Sequence, residues 1–177
     1  MKVSEEKTLE SELKYKGCII NVKKDKVLLS DGKIHYREVA EHPGGVVILP
    51  ILPDNRILFI KQWRHPVMQE LIELPAGKLD VKNEELLEAA KRELTEETGY
   101  TAKNWEYMGK ILSTPGFCNE ILYFYKASDL AHIGANPDEG EIIDIMPLAE
   151  EQAWCMIKEG QIIDAKTIIG LSYLKRF

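Results

Sequence analysis

Two apolar runs, VVILPIL (46–52) and RILFIKQW (56–63), flank Pro53-Asp54-Asn55. They read as two core strands joined by hairpin-like punctuation, and LIELPAG (71–77) adds a short strand ending at Pro75. A helical pattern follows from Glu84 to Thr98, stopped by Gly99, a residue suited to a left-handed cap. Strand patterns resume at NWEYMGKIL, ILYFYKAS and EIIDIMPL, and two helical patterns close the chain, near Leu148–Lys158 and Ala165–Lys175. Strands and helices are interspersed, with hairpins among the strands, so a mixed α/β or α+β sheet layered with helices is expected.

Before the core runs, LKYKGCIINV, KVLLSDG and KIHYREV read as a small antiparallel meander with turns at the Lys/Asp segment and at Asp31-Gly32. The expected division is a meander over 1–41 and a main domain over 42–177. A chain of 177 residues buries enough surface to fold without disulfide or zinc staples. Its three cysteines form no C-x-x-C pair, and its four histidines give no zinc-ligand spacing. No apolar run is long enough to span a bilayer, and the first residues lack the apolar stretch of a secretory signal. A cytoplasmic protein with reduced thiols and no membrane contact is the expectation. The net charge of −6 argues against a broad nucleic-acid surface but not against a phosphorylated small molecule.

The 84–98 helix departs from simple amphipathicity. Leu86, Leu87, Ala90 and Leu94 form one apolar arc, with Glu85, Glu88, Arg92 and Thr95 largely opposite. Glu88 and Arg92 are spaced as an i,i+4 ion pair. Glu93 and Glu97, one turn apart, lie on the flank of the apolar arc, and Glu96 is close to Glu93. Two readings of this strip stand open. One is a solvated acidic helix. In the other, carboxylates that repel one another and lose hydration are reconciled by a hard divalent cation such as Mg²⁺ or Mn²⁺.

Gly77 and the run KLDVKNEELLEAAKRELTEETGY (78–100) resemble the Nudix box: a Gly, five residues, Glu, seven residues, then Arg-Glu-(apolar)-x-Glu-Glu-x-Gly-(apolar). Arg92 to Tyr100 fits the second half position by position, and Glu84 lies eight before Arg92. One departure is visible, because Gly77 precedes Glu84 by seven positions instead of six. The extra residue falls in a loop, where insertions are tolerated. REVAEHPGGVVILP, FIKQWRHPVMQELIELPAG, STPGFCNE and EGQIIDAKTIIGLSYL extend the likeness toward the ADP-ribose pyrophosphatase branch, and Pro115 lies fifteen after Tyr100, as that branch asks.

The resemblance implies an α/β/α sandwich with a mixed sheet, plus the small N-terminal meander. It implies Mg²⁺-dependent hydrolysis (Mn²⁺ substituting) of the pyrophosphate bond in ADP-ribose and related nucleoside diphosphate sugars. It assigns Glu93, Glu96, Glu97 and the Ala76 carbonyl as metal ligands, with Glu97 also central to catalysis. Arg92 would hold the carboxylates in place beside the box glycine, Gly77. A base or further ligand is expected in the acidic loop 136–141, where Glu139 and Glu141 both qualify. Arg37, Arg64 and Glu120 are the implied substrate contacts. Trp63 and Tyr36 are alternative base-stacking or core aromatics. In this branch the meander commonly exchanges between subunits, so a homodimer is expected. The competing readings are a hydrolase preferring a GDP- or UDP-hexose and a non-catalytic ADP-ribose sensor. Against the sensor, all three box glutamates are present and no basic extension follows.

Overall fold

The computed structural model describes residues 5–134 and 142–175. The chain divides into two units, Met1–Gly44 with Leu112–Ile121, and Gly45–Ile111 with Leu122–Phe177. No helix among the described residues is long and apolar enough to cross a membrane.

The first unit holds a three-stranded antiparallel sheet, β1 (Lys7–Lys16), β2 (Asn21–Leu28) and β3 (Ile34–Glu41), in that order. The turn expected at the Lys/Asp segment is not there. Lys23 to Lys26 lie inside β2, and the chain instead reverses at Gly17–Ile20, where the Gly17 N–H donates to the Ile20 carbonyl at 3.0 Å. Charge at successive positions signals a turn only when one strand face is buried. β1 is exposed along its whole length, and the β2 charges are met across the sheet: Lys26 faces Glu10 at 3.5 Å, and the Ser11 hydroxyl donates to Asp25 at 2.6 Å. The 112–121 segment joins this unit through the Ala40 N–H, which donates to the Phe117 carbonyl at 2.7 Å.

The second unit carries β4 (Gly45–Pro50), β5 (Ile57–Arg64), β6 (Gln69–Glu73), β7 (Ala76–Lys78), α1 (Leu86–Thr98), β8 (Tyr100–Leu112), β9 (Ile121–His132), β10 (Ile143–Leu148), α2 (Glu150–Lys158) and α3 (Ala165–Leu174). Its strands form two sheets, ordered β7-β4-β9-β8 and β10-β5-β6. β4 runs parallel to β9 and antiparallel to β7. The expected β4–β5 hairpin is corrected here: after one bridge, Ile51 to Ile57, the two strands part and enter different sheets. Both are apolar at successive positions, so each needs cover on both faces, which two neighbouring strands of one hairpin do not give.

Side chains alternate along β4 and sort the core into two clusters. Val46 and Ile48 pack with Leu58 and with Ala89, Ala90 and Leu94 of α1. Val47 and Leu49 pack with Phe59, Leu148, Ala153 and Met156 of α2, and Leu171 of α3. Helices therefore cover both sides of the β4 sheet, a mixed α/β arrangement of layers. Gly99 ends α1 in the left-handed region, φ 72°, with its N–H returning to the Thr95 carbonyl at 2.8 Å. An L side chain there would be strained.

Candidate active site on the carboxylate face of α1

The apolar arc of α1 fixes where its acids point. Ala90 and Leu94 are fully buried, and Glu97, which falls on the same side of the helix, is drawn in with them to 5% exposure. The Ala76 N–H donates to Glu97 Oε2 at 2.9 Å, so the end of β7 caps this carboxylate. Next to it Gly77 leaves no room for a side chain: a Cβ there would stand 1.7 Å from the Glu93 carboxyl carbon. The box glycine is thus the surface against which Glu93 lies.

Arg92 binds three of the acids. Its Nε and Nη2 donate to Glu84 at 3.0 and 3.1 Å, and Nη1 donates to Glu93 at 2.9 Å and Glu96 at 2.8 Å. The Glu84 hydrogen bonds are the main reason its guanidinium is held charged well beyond the ordinary arginine range, with the Glu93 charge adding to them against the cost of burial. The expected Glu88–Arg92 pair is not formed. Glu88 meets Lys91 at 2.8 Å instead, since three half-buried carboxylates outcompete one exposed one for the same fork. The extra loop residue between Gly77 and Glu84 is absorbed in a turn: the Glu84 N–H donates to the Val81 carbonyl at 3.2 Å, and Asn83 takes φ 62°. Asparagine tolerates that region better than most residues.

Four carboxylates therefore gather here, Glu84, Glu93 and Glu96 on Arg92 and Glu97 under the Ala76 N–H. All donors are hard oxygens, the set that suits a small divalent cation. Among the described residues no three acidic, His or Cys side chains already converge in a metal-holding arrangement. Arg92 draws Glu93 and Glu96 toward itself, and a cation would compete with it for their outer oxygens. The donor chemistry, the crowding of carboxylates and the glycine wall fit a divalent ion.

A second polar cluster lies at the end of β6. Glu73 is 1% exposed and accepts a bidentate pair from Arg64, Nε at 2.8 Å and Nη2 at 2.7 Å. Lys166 of α3 also donates to Glu73, and to Asp164 at 3.1 Å. Asp164 caps α3, accepting from the Thr167 N–H at 3.0 Å, while the Thr167 hydroxyl accepts from the Leu74 N–H at 2.7 Å. Burial pushes the Glu73 carboxyl up, but the Arg64 hydrogen bonds and the Lys166 charge outweigh it and hold it below the usual glutamate range. Arg64 is held charged chiefly by Glu73, with a smaller share from the Glu97 carboxylate, which lies near enough to act on it. Sequence reasoning singled out Arg64 but missed Glu73, Asp164 and Lys166. The available signal was a lone carboxylate between Ile72 and Leu74.

The other implied contacts belong to the first unit. Arg37 pairs with Glu6 at 2.6 Å and is exposed, and the Glu120 carboxylate lies 3.2 Å from His42 Nδ1. Tyr36 and Trp63 are 57% and 52% exposed, so neither is a core aromatic. Glu139 and Glu141 lie outside the described residues.

A mixed α/β unit carrying such a carboxylate helix behind a glycine-backed strand is a hydrolase-type scaffold for anionic substrates. Residues 41–168 match the model of the NUDIX domain, and the chain belongs to the Nudix family of hydrolases. It is 38% identical over 176 residues to the methanol dehydrogenase activator of Bacillus methanolicus, covering 98% of this chain and 95% of that one. It is 37% identical over 177 residues to the ADP-ribose pyrophosphatase of Bacillus subtilis (strain 168), covering 99% and 95%. The fold matches a solved ADP compounds hydrolase at TM-score 0.87 and 20% identity, covering 99% of this chain and 95% of that chain. Nudix hydrolases act with divalent metal ions.

Proposed function

We propose that this protein hydrolyses the pyrophosphate bond of ADP-ribose and related nucleoside diphosphate sugars, with Mg²⁺ (or Mn²⁺) bound at α1, giving a nucleoside monophosphate and a sugar phosphate. The observation that carries this reading is the cluster of carboxylates at α1: Glu84, Glu93 and Glu96 converge on one guanidinium beside the Gly77 backbone, and Glu97 is buried next to them under the Ala76 N–H. Glu93, Glu96, Glu97 and the Ala76 carbonyl would hold the ion. Bound there, it neutralises phosphate charge and acidifies a water molecule. The chain's own contributions are separate. Arg92 holds Glu84, Glu93 and Glu96 in place. The Ala76 N–H orients Glu97. Arg64, locked by Glu73, offers a guanidinium edge that suits phosphate oxygens. In this reading Glu139 or Glu141 takes the proton from the attacking water, and Arg37 and Glu120 contact substrate. The first unit's sheet, exposed on β1, supports a homodimer, and the cytoplasm is the proposed location.

The test is turnover of ADP-ribose with and without Mg²⁺, products separated by chromatography. AMP and ribose 5-phosphate formed only with the metal is the expected result, with GDP-mannose and UDP-glucose slower. Binding without hydrolysis at any metal concentration would instead favour a sensor. The likeness to a dehydrogenase activator raises a second reading, in which the same hydrolysis serves to switch on a dehydrogenase. Stimulation of such an enzyme that is lost along with hydrolysis in Glu97→Gln would support it.

A further inference from the structure

Glu73 ends β6 and Leu74 follows it, and the first turn of α3 holds both. The Leu74 N–H donates to the Thr167 hydroxyl, which itself donates to Asp164 at 2.7 Å. Lys166 donates to Asp164 at 3.1 Å and to Glu73, which closes the ring. Two members of the ring have a stabilising role. Thr167, fully buried, satisfies a backbone N–H beyond the end of the β6 ladder, and Asp164 caps α3. Lys166 is different. Its side chain is 14% exposed, so its ammonium gives up hydration, yet Glu73 already has a bidentate cation in Arg64.

The geometry of that fork shows what the lysine adds. Arg64 pairs with Gln69 across the ladder while Glu73 stands opposite Ile60, so the arginine reaches back along one face of β5 to meet it. Lys166 and Arg64 Nη2 converge on the same Glu73 oxygen, Oε2. A carboxylate this deeply buried draws in whatever cations can reach it. Without Lys166 that pull falls on Arg64 alone, the most exposed member of the cluster. With Lys166 meeting part of the demand from the α3 side, Arg64 grips Glu73 by Nε and Nη2 and keeps Nη1 outside the fork.

We infer that Lys166 is a positioning residue: acting through Glu73, it holds the Arg64 guanidinium where substrate phosphates bind, without touching substrate itself. This rests on the hydrolase reading above, with Arg64 at the phosphates. The experiment measures kcat and KM for ADP-ribose at saturating Mg²⁺ in wild type, Lys166→Met, Glu73→Gln and the double variant, with a melting curve for each. Methionine keeps the apolar stem and removes the charge. Lys166→Met should raise KM about 10-fold and change kcat by less than about 3-fold. Lys166→Gln, a second neutral variant, should match it. In the Glu73→Gln background, Lys166→Met should raise KM by less than about 2-fold, because the group that carries the effect is gone. A KM rise that persists undiminished in that background means that Lys166 acts on the phosphates directly, and overturns the inference. So does an unchanged KM, or a loss confined to kcat. Unfolding of both Lys166→Met and Lys166→Gln at the assay temperature also overturns it, since the lysine then supports the fold alone. If wild type hydrolyses no ADP-ribose, the hydrolase reading fails and takes this with it. If wild type is active and one of the overturning results is found, only the Lys166 assignment fails.

Discussion

Arg92 and Arg64 are both forked onto glutamates in the second unit, yet their surroundings differ in charge balance. Around Arg64 the books close: Arg64 and Lys166 face Glu73 and Asp164, and the innermost acid, Glu73, is 1% exposed with three charge-assisted hydrogen bonds. Around Arg92 the acids crowd: Glu84, Glu93 and Glu96 converge on one guanidinium, with the buried Glu97 one helical turn from Glu93. A balanced buried network holds side chains in one geometry and asks for nothing more. A crowded set of carboxylates on a partly buried face gains from a bound cation. In the proposed reading the first network serves positioning and the second binding.

The largest expected effect is on the Arg92 side. Glu97→Gln keeps the shape and the Ala76 hydrogen-bond acceptor but removes a charge, and should lower turnover by at least ~10³-fold with an unchanged melting curve. Steady-state assay alongside calorimetry checks it. A drop that comes with unfolding would not support the binding role. Gly77→Ala should cost about 10²-fold in activity, because its methyl must displace the Glu93 carboxylate, and it should raise the metal concentration needed for half-maximal rate.

Glu73→Gln tests the balanced side. It leaves Arg64 and Lys166 without their shared anion, and should cost about 3 kcal/mol in chemical denaturation. The pH dependence has a definite sign. Glu73 is held below its ordinary range when folded, so its share of stability is fully present above the unfolded glutamate value and is lost as pH falls through the lower folded one. Wild type should therefore lose stability on that acid limb more steeply than Glu73→Gln, by titration of unfolding free energy from pH 6 to pH 3. The smallest effect is expected at the exposed pair Lys61–Glu70, where Lys61→Ala should change stability by no more than about 0.5 kcal/mol.

The two networks were not equally legible in the sequence. The Arg92 side could be read because its members are local: Glu84 through Gly99 are one continuous run around α1, and the apolar arc with its glycine stop fixes which way the helical acids point. Even there the helix-spacing rule chose Glu88 for Arg92, since it weighs two residues at a time and the actual fork had four to choose from. The Arg64 side was hidden because Lys166 lies 93 residues beyond Glu73, and nothing in LIELPAG names its partner. The same limit applies to the sheets. β4 and the first half of β5 (57–60) are apolar at successive positions, and such runs carry no alternation to say which neighbour they take. β4 finds its parallel partner β9 more than seventy residues on, and the short turn at 53–55 mimics a hairpin. The meander was legible as three strands, but β1 is exposed throughout and the charges of β2 follow no clean alternation, so its first turn was misplaced.

The claim that the α1 face exists to hold a divalent cation is tested most directly by titrating Mn²⁺ into the substrate-free protein and following the free ion by electron paramagnetic resonance. Saturable binding to wild type, weakened about 10–100-fold in Glu97→Gln and unchanged in Glu73→Gln, is the predicted result. Equal affinity in wild type and Glu97→Gln, or loss of binding in Glu73→Gln instead, would contradict it.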